Sequence, residues 1–198
     1  MARPRPAEFG LHRARAFMID VTQQLPLSAA QHGIWLGQQL DRSNAVYGTA
    51  ECIALPLGAD RALLARAVAQ ALSEADVLHV RYEEHEGVPR QRLVASREVD
   101  LAWVELDPGC DALTEVRRFA ALDLSRPFDL VTGPVFRSTI FCAGPALYWY
   151  LAAHHIALDG FGFVLIVQRA ADIYTALYGD VAPKPRWFGA LQSVLSED

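Results

Sequence analysis

The sequence is poor in the residues that build several common kinds of site. It has only three cysteines, Cys52, Cys110 and Cys142, which are odd in number and lack CxxC spacing. Neither a disulfide framework nor a cysteine-based zinc site is therefore predicted, and a reducing, cytoplasmic compartment suits such a chain. No GxSxG or HExxH motif occurs, so the usual signatures of α/β-hydrolases and zinc proteases are excluded.

Basic clusters and long apolar runs are also scarce. The 18 lysines and arginines are spread thinly along a chain of net charge −5, so we expect no nucleic-acid partner. No stretch reaches the ~18 uncharged apolar residues of a membrane span, and no apolar core of a signal peptide follows the arginines near the N-terminus. We therefore expect no membrane partner, and we expect residues 1–20 to be a flexible leader, a tag or a linker.

The sequence has instead a surplus of apolar residues. Hydrophobic residues make up 52% of its 198 positions and charged residues 21%, a composition that favours one globular core over disorder. Such a surplus permits an additional apolar face that a partner covers. We predict one folded body over residues 21–180, and a tail or the start of a linker over residues 181–198.

Capping residues and apolar periodicity predict four helices. Ser28 and Gln31 have capping-box spacing, in which each side chain satisfies an orphan backbone N–H. Asp60 and Asp111 are further N-cap candidates, and apolar residues recur behind them with the period of a helix face. The predicted helices are residues 29–40, a segment after Asp60 that includes 63–72, residues 112–122 and the long apolar segment 160–178.

Strand-like runs lie between these helices. A Glu86–Gly87 turn joins two of them, and the run LAWVELD that follows is expected to extend the same antiparallel patch. A Gly144–Pro145 turn joins VFRSTIFC to ALYWYLAA, which is apolar on both faces, as a central strand would be. The fold class predicted is α/β (α+β), with helices packed against a mixed, largely antiparallel sheet.

Two adjacent histidines, His154 and His155, end the last of these strands just before the long helix. A neutral imidazole at such a position can accept a proton. Gly160 would permit a tight turn from strand to helix, and the backbone N–H groups of Gly160 and Phe161 would lie at the positive end of the helix dipole.

Asp159 can hold this loop by pairing with an arginine, for which Arg81 and Arg137 are the candidates. A simpler interpretation has one histidine in the core, the other in solvent and Asp159 merely as a helix N-cap. A metal site formed by His155 and Asp159, which His154 could join, is a further alternative, but no clear third ligand is evident and no metal is predicted.

The motifs, in their order along the chain, resemble those of a known family. HHIALDG is similar to the HHxxxDG core motif of the condensation domains of nonribosomal peptide synthetases, members of the chloramphenicol-acetyltransferase-like superfamily. LSAAQHGIW resembles the family's first motif and ADVLHVRYEEHEG its second, and PFDLVTGPVFR precedes the core motif. The resemblance extends from about Leu25 to Tyr178 and is particularly close to the starter-type domain of enterobactin synthase.

This resemblance implies the N-terminal lobe of an acyltransferase that forms an amide bond between carrier-bound acyl and aminoacyl thioesters. His155 would act as base or positioning group, and His154, Asp159 and Gly160 would hold the loop. The N–H groups of Gly160 and Phe161 would stabilise an oxyanion. No directly bound cofactor is implied, only the phosphopantetheine arms of donor and acceptor peptidyl carrier proteins.

Two departures from the family's pattern affect this inference. His79 stands where the second motif usually has an arginine, which leaves the partner of Asp159 open. The latch motif of a second lobe is absent, so the C-terminal lobe is an expected partner and the isolated lobe is expected to be inactive. The alternatives are a non-catalytic carrier-protein-binding module, or an epimerization or ester-forming acyltransferase of the same superfamily, although the starter-like first two motifs argue against epimerization.

Overall fold

Two β-sheets and five α-helices form the part of the chain that the computed structural model describes, residues 23–186 and 188–195. The helices are α1 (Ala29–Leu40), α2 (Arg61–Glu74), α3 (Ala112–Leu124), α4 (Gly160–Tyr178) and α5 (Leu191–Leu195). The strands are β1 (Leu25–Pro26), β2 (Gly48–Ala54), β3 (Val80–His85), β4 (Val88–Leu93), β5 (Leu101–Glu105), β6 (Phe136–Ala143) and β7 (Ala146–His154). The expected leader, residues 1–20, lies outside the described residues.

The helices begin where their capping residues predict. Ser28 Oγ accepts a hydrogen bond from Gln31 N at 3.2 Å, and Ser28 N donates to Gln31 Oε1 at 3.0 Å, so the capping box of α1 is complete. Asp60 and Asp111 cap α2 and α3 through their side chains. Because these contacts are made within a single turn, the sequence was sufficient to locate them.

The larger sheet has the strand order β2-β7-β6-β5, and the smaller one has the order β1-β4-β3. β7 pairs antiparallel with both β2 and β6, which confirms it as a central strand. Glu86 and Gly87 both have positive φ, 51° and 77°, and they form the predicted turn between β3 and β4.

The expectation for LAWVELD was wrong. This run forms β5, which leaves the β3–β4 hairpin and pairs parallel with β6 of the larger sheet, from Leu101↔Ser138 to Glu105↔Cys142. A parallel pair needs a long crossover connection, and α3 supplies it between β5 and β6. The sequence of a short strand that follows a hairpin does not indicate whether it extends the hairpin or joins another sheet.

Both faces of the larger sheet are covered. Along β7, Trp149, Leu151 and Ala153 belong to the main core cluster with residues of α2 and α4. Tyr150 and Ala152 point to the opposite face, where they pack in a second cluster with residues of α3. β7 is therefore rigidly held on both sides up to its last residues, from which the histidine pair projects.

α4 is long and apolar enough, by length and composition, to cross a membrane. One face of it packs into the core, since Phe163 and Ile173 are buried in the main cluster. Its buried Arg169 makes a bidentate ion pair with Glu74 of α2, at 2.7 and 3.0 Å. The predicted α/β (α+β) class, with helices flanking largely antiparallel sheets, is confirmed.

Candidate active site

The loop from His154 to Asp159 connects the end of β7 to the start of α4. Its backbone is tied to two other segments, because His154 N donates to Val135 O at 2.9 Å and His155 N donates to Tyr47 O at 2.8 Å. Ala157 N donates back to His154 O at 2.9 Å and closes a tight turn. The position of His155 is therefore determined by backbone contacts on both sides of the strand end.

His154 is buried, with 2% of its surface exposed. Its Nε2 lies 3.1 Å from Gln38 Oε1, and its Nδ1 accepts a hydrogen bond from Ile156 N, also at 3.1 Å. The rings of Tyr47 and Phe128 pack beside it. Burial, and to a smaller extent the neighbouring His155, lowers the pKa of His154 to about 4, so this imidazole is neutral at physiological pH.

His155 is exposed and has a different environment. Its Nδ1 lies 3.1 Å from the carbonyl oxygen of Leu158. Because a carbonyl only accepts hydrogen bonds, the imidazole proton is assigned to Nδ1, which leaves Nε2 with a lone pair. This tautomer is the one in which Nε2 can accept a proton from a substrate.

Asp159 is the N-cap of α4, and its carboxylate accepts a hydrogen bond from Gly162 N at 2.7 Å. The structure does not bring either candidate arginine to it. Arg137 donates from Nε to Asp123 Oδ2 at 2.8 Å, and Arg81 donates to Val80 O at 3.1 Å. The expected arginine pair is thus replaced by a cap, because a carboxylate at a helix N-terminus is already satisfied by backbone N–H groups and the helix dipole.

Arg137 is directed instead into a buried network around Asp123, which is 3% exposed. Although burial opposes ionisation, hydrogen bonds from Arg137, Tyr150 and Arg126 hold the pKa of Asp123 below its usual value. Arg137 also stacks over the Phe128 ring at 3.8 Å. The network therefore braces the ring that packs against His154.

Gly160 is the first residue of α4, and its backbone is not among those with positive φ. A Cβ on Gly160 would meet open space, whereas a Cβ on Gly162 would lie 2.5 Å from Leu158 Cδ1. The tight turn that we assigned to Gly160 therefore makes no steric demand there, and the close approach is at Gly162. The N–H groups of Gly160 and Phe161 are in the first helical turn, where no intrahelical acceptor exists.

His155 lines a cavity of about 680 Å³ between α1, the histidine loop, the start of α4 and the C-terminal segment. This volume lies in the usual range for small-molecule sites. Most of its walls are apolar; they include Ile34, Phe161, Leu165 and Leu191. Asp159 and Gly162 also line it, so the histidine motif faces a space that a substrate can enter.

Two glutamines of α1 reach the same loop, and the sequence analysis did not assign them to it. Gln31, predicted only as a capping residue, also donates from Nε2 to Ile156 O at 3.1 Å. Gln38 bonds His154, as described above. Their spacing of seven residues places them on one face of α1, two turns apart, and two amides on one face of an amphipathic helix were the available signal.

His79, which departs from the family's second motif, is buried, and its Nε2 lies 3.0 Å from Leu72 O. Burial lowers the pKa of this imidazole. Its ring packs edge-on against Phe136. The residue therefore serves the core, and neither of these two contacts involves Asp159.

Residues 21–186 match the family model described as Condensation domain. The chain belongs to the condensation domain family. It is 42% identical over 176 residues to the dimodular nonribosomal peptide synthase of Bacillus subtilis (strain 168), covering 88% of this chain and 7% of that protein's length. It is 33% identical over 167 residues to enterobactin synthase component F of Escherichia coli (strain K12), covering 82% of this chain and 13% of that protein.

A solved condensation domain has the same fold. The starter condensation domain of rhizomide synthetase RzmA superposes with a TM-score of 0.80 at 30% identity, covering 89% of this chain and 43% of that one. The predicted family, and the resemblance to enterobactin synthase, are thus confirmed. The chain spans less than half of the solved domain and a small part of the synthetases, and the roles of His155, His154, Asp159 and Gly160 stay predictions.

Proposed function

We propose that this condensation-domain lobe supplies the histidine half of an active site that joins a carrier-bound acyl thioester to a carrier-bound amine. The observation that carries the proposal is the tautomer of His155, whose Nδ1–H is held by Leu158 O while the ring lines an open cavity. The ring is exposed, although it follows a strand that is buried to its last residue. A residue with only a packing role would not need this arrangement.

In the proposed reaction the amine nitrogen attacks the thioester carbonyl carbon, and a tetrahedral intermediate forms. The C–S bond then breaks, so that an amide is formed and the carrier's thiol leaves. The attacking α-amine has a pKa near ~8, so an appreciable part is already neutral. His155 Nε2 would orient this amine by accepting its hydrogen bond and would take the proton that it loses.

The negative charge that develops on the carbonyl oxygen needs hydrogen-bond donors. We assign them to the backbone N–H groups of Gly160 and Phe161, at the N-terminus of α4. His154, Asp159 and Gly160 would hold the loop in the geometry that this requires. No metal enters the reaction as we propose it.

The two substrates would arrive on the phosphopantetheine arms of donor and acceptor peptidyl carrier proteins. The remaining wall of the site would be a C-terminal lobe, since this chain covers 43% of the solved condensation domain that it matches. All three cysteines, Cys52, Cys110 and Cys142, are free, which suits the reducing cytoplasm in which we place the reaction.

The test uses the protein that contains both lobes, with loaded carrier proteins and mass spectrometry of the carrier-bound product. His155→Ala is expected to lower the rate of amide formation by about 100-fold or more, the usual contribution of a positioned base. His85→Ala is the matched control, because His85 is exposed on the β3–β4 hairpin, and it should leave the rate unchanged. Full turnover by His155→Ala would refute the proposal. If His155→Ala is inactive but the parent protein forms an ester or an epimerized product, the other members of the superfamily would be favoured.

A further inference from the structure

Gln38 is a buried amide near the end of α1, with 4% of its surface exposed. Its Nε2 donates to the carbonyl oxygens of Asp41 and Asn44, both at 3.1 Å. Its Oε1 lies 3.1 Å from Nε2 of His154. All hydrogen-bonding groups of this side chain are therefore directed at specific partners.

The two carbonyl groups determine which way the amide faces. A carbonyl oxygen can only accept, so the NH₂ group of Gln38 must point at Asp41 and Asn44, and its oxygen must point at His154. That oxygen is an acceptor, so it requires the proton of His154 on Nε2. Nδ1 of His154 is then bare, and it accepts from Ile156 N at 3.1 Å.

Ile156 immediately follows His155, and α1 reaches both of its backbone polar groups, the N–H only indirectly through His154 and the carbonyl oxygen together with Tyr82 Oη, which also donates to it at 3.4 Å. Its N–H is bonded to His154, which Gln38 orients, and its carbonyl oxygen accepts from Gln31 Nε2 at 3.1 Å. The peptide that carries His155 into the cavity is thus fixed by a relay that begins at Gln38. The relay works only in one tautomer of His154.

We propose that Gln38 is a positioning residue that acts through the tautomer of His154 to place His155. The inference rests on the proposed role of His155 in the reaction. It assigns to α1 a function beyond its capping box. Gln38 determines which ring nitrogen of His154 carries the proton, and two successive hydrogen bonds then connect Gln38 to the N–H of Ile156, the residue after His155.

The first test is a long-range ¹H–¹⁵N NMR measurement of the histidine rings in this chain. The parent is expected to show His154 as the Nε2–H tautomer at pH 7. Gln39→Met should match it, because Gln39 is a neighbour whose Oε1 accepts from the exposed side chain of Arg42 at 2.7 Å. Gln38→Met, similar in length but without hydrogen bonds, should give a mixture of tautomers and exchange of the Ile156 amide on the order of tenfold faster. An unchanged tautomer and unchanged Ile156 protection in Gln38→Met would overturn the inference.

Gln38→Glu keeps the test decisive if Gln38→Met does not fold. Its carboxylate loses the two bonds to the carbonyl oxygens of Asp41 and Asn44 but still accepts from His154 Nε2–H, so the tautomer should persist, and its negative charge should raise the pKa of His154 above that of the parent. This shift is followed by the same NMR signals during a pH titration. An unshifted titration of His154 would show that residue 38 does not bond that ring and would refute the relay.

The second test is kinetic and uses the protein that contains both lobes. Gln38→Met should lower kcat for amide formation at least about tenfold with little change in KM for the carrier proteins, since geometry and not binding is affected. Gln38→Glu should lower kcat by a smaller factor, and Gln39→Met should leave kcat unchanged. If His155→Ala retains full turnover, the proposed function fails while the NMR result stands; if His155→Ala is inactive but Gln38→Met is fully active, the positioning role fails.

Discussion

At the residue scale, the two adjacent histidines have opposite environments. His154 lies in the core and is held at both ring nitrogens, whereas His155 is exposed and is held only at Nδ1. This division matches the simpler interpretation of the pair, with one ring buried and one solvated, and Asp159 is indeed an N-cap. The structure adds that the solvated ring lines a cavity and is fixed in the tautomer that a base requires.

The buried ring makes stability depend on pH. Its pKa is about 4 in the folded chain, below the ordinary histidine value of 6.5, so the unfolded chain binds more protons between these two values. Stability contributed by His154 is therefore fully present above about pH 6.5 and is lost as the pH falls toward 4. We expect the free energy of unfolding, measured by urea denaturation, to fall over this window more steeply in the parent than in His154→Gln.

Only the difference between the two proteins is diagnostic, because carboxylates also titrate near pH 4. His85→Gln, at an exposed ring, is the control for the general effect of replacing a histidine by glutamine. Parallel curves for the parent and His154→Gln would contradict the burial of a neutral imidazole at this position.

At the element scale, the cavity depends on the segment that follows α4, which we expected to be a tail or linker. Its described residues lie against the lobe. The carboxylate of Asp76, which is 6% exposed, pairs with Arg186 at 2.8 Å and Arg97 at 2.9 Å, and accepts from Leu191 N at 3.1 Å. Arg169 donates to Lys184 O at 2.9 Å, so the segment is held at several points and forms one wall of the cavity.

Asp76→Asn is expected to release this segment. The substitution removes the charge that two arginines approach at ion-pair distance, and removing one partner of a buried ion pair is destabilising because the other charge is left uncompensated. We expect hydrogen exchange to accelerate over residues 188–195 while β6 and β7 keep their protection. Asp172→Asn, an exposed position on α4, is the control, and equal protection of the segment in all three proteins would show that Asp76 does not anchor it.

The elements also differ in how far the sequence predicted them. α1 and α4 have the predicted bounds, since their caps and apolar faces are local properties of a few turns. β5 was assigned to the wrong sheet, because pairing with β6 depends on residues more than thirty positions away and on a crossover helix. The link between α1 and the histidine loop was missed for the same reason, since Gln38 and His154 are 116 positions apart.

At the scale of the whole molecule, the lobe carries apolar surface beside the cavity. Phe161 is 69% exposed and Val164 48% exposed, one turn apart on α4. The sequence's apolar surplus predicted such a face. Since the chain covers 43% of a solved condensation domain, we expect the second lobe to cover it.

Val164→Ser tests this assignment. In the present chain the change should alter the free energy of unfolding by less than about 0.5 kcal/mol, because the side chain is half-exposed. In the protein that contains both lobes it should lower the free energy of unfolding by about 1–2 kcal/mol and lower the midpoint of thermal unfolding, because a serine would replace a valine that the second lobe buries. Leu57→Ser, on a loop residue that is 77% exposed, should be silent in both, and an equal response of the two proteins to Val164→Ser would place the second lobe elsewhere.

The sequence by itself determined the capped helices, the two-faced central strand, the position of the histidine pair at its end and the family to which these motifs belong. The elements depend on residues within a few turns of one another, where propensity, periodicity and hydrogen-bond stereochemistry act directly, and the family depends on short motifs in their order along the chain. The tertiary structure alone decided the partner of Arg137, the parallel pairing of β5 and the glutamine that orients His154. Those contacts join segments distant in the chain, and which of them form depends on how whole layers pack rather than on any local pattern.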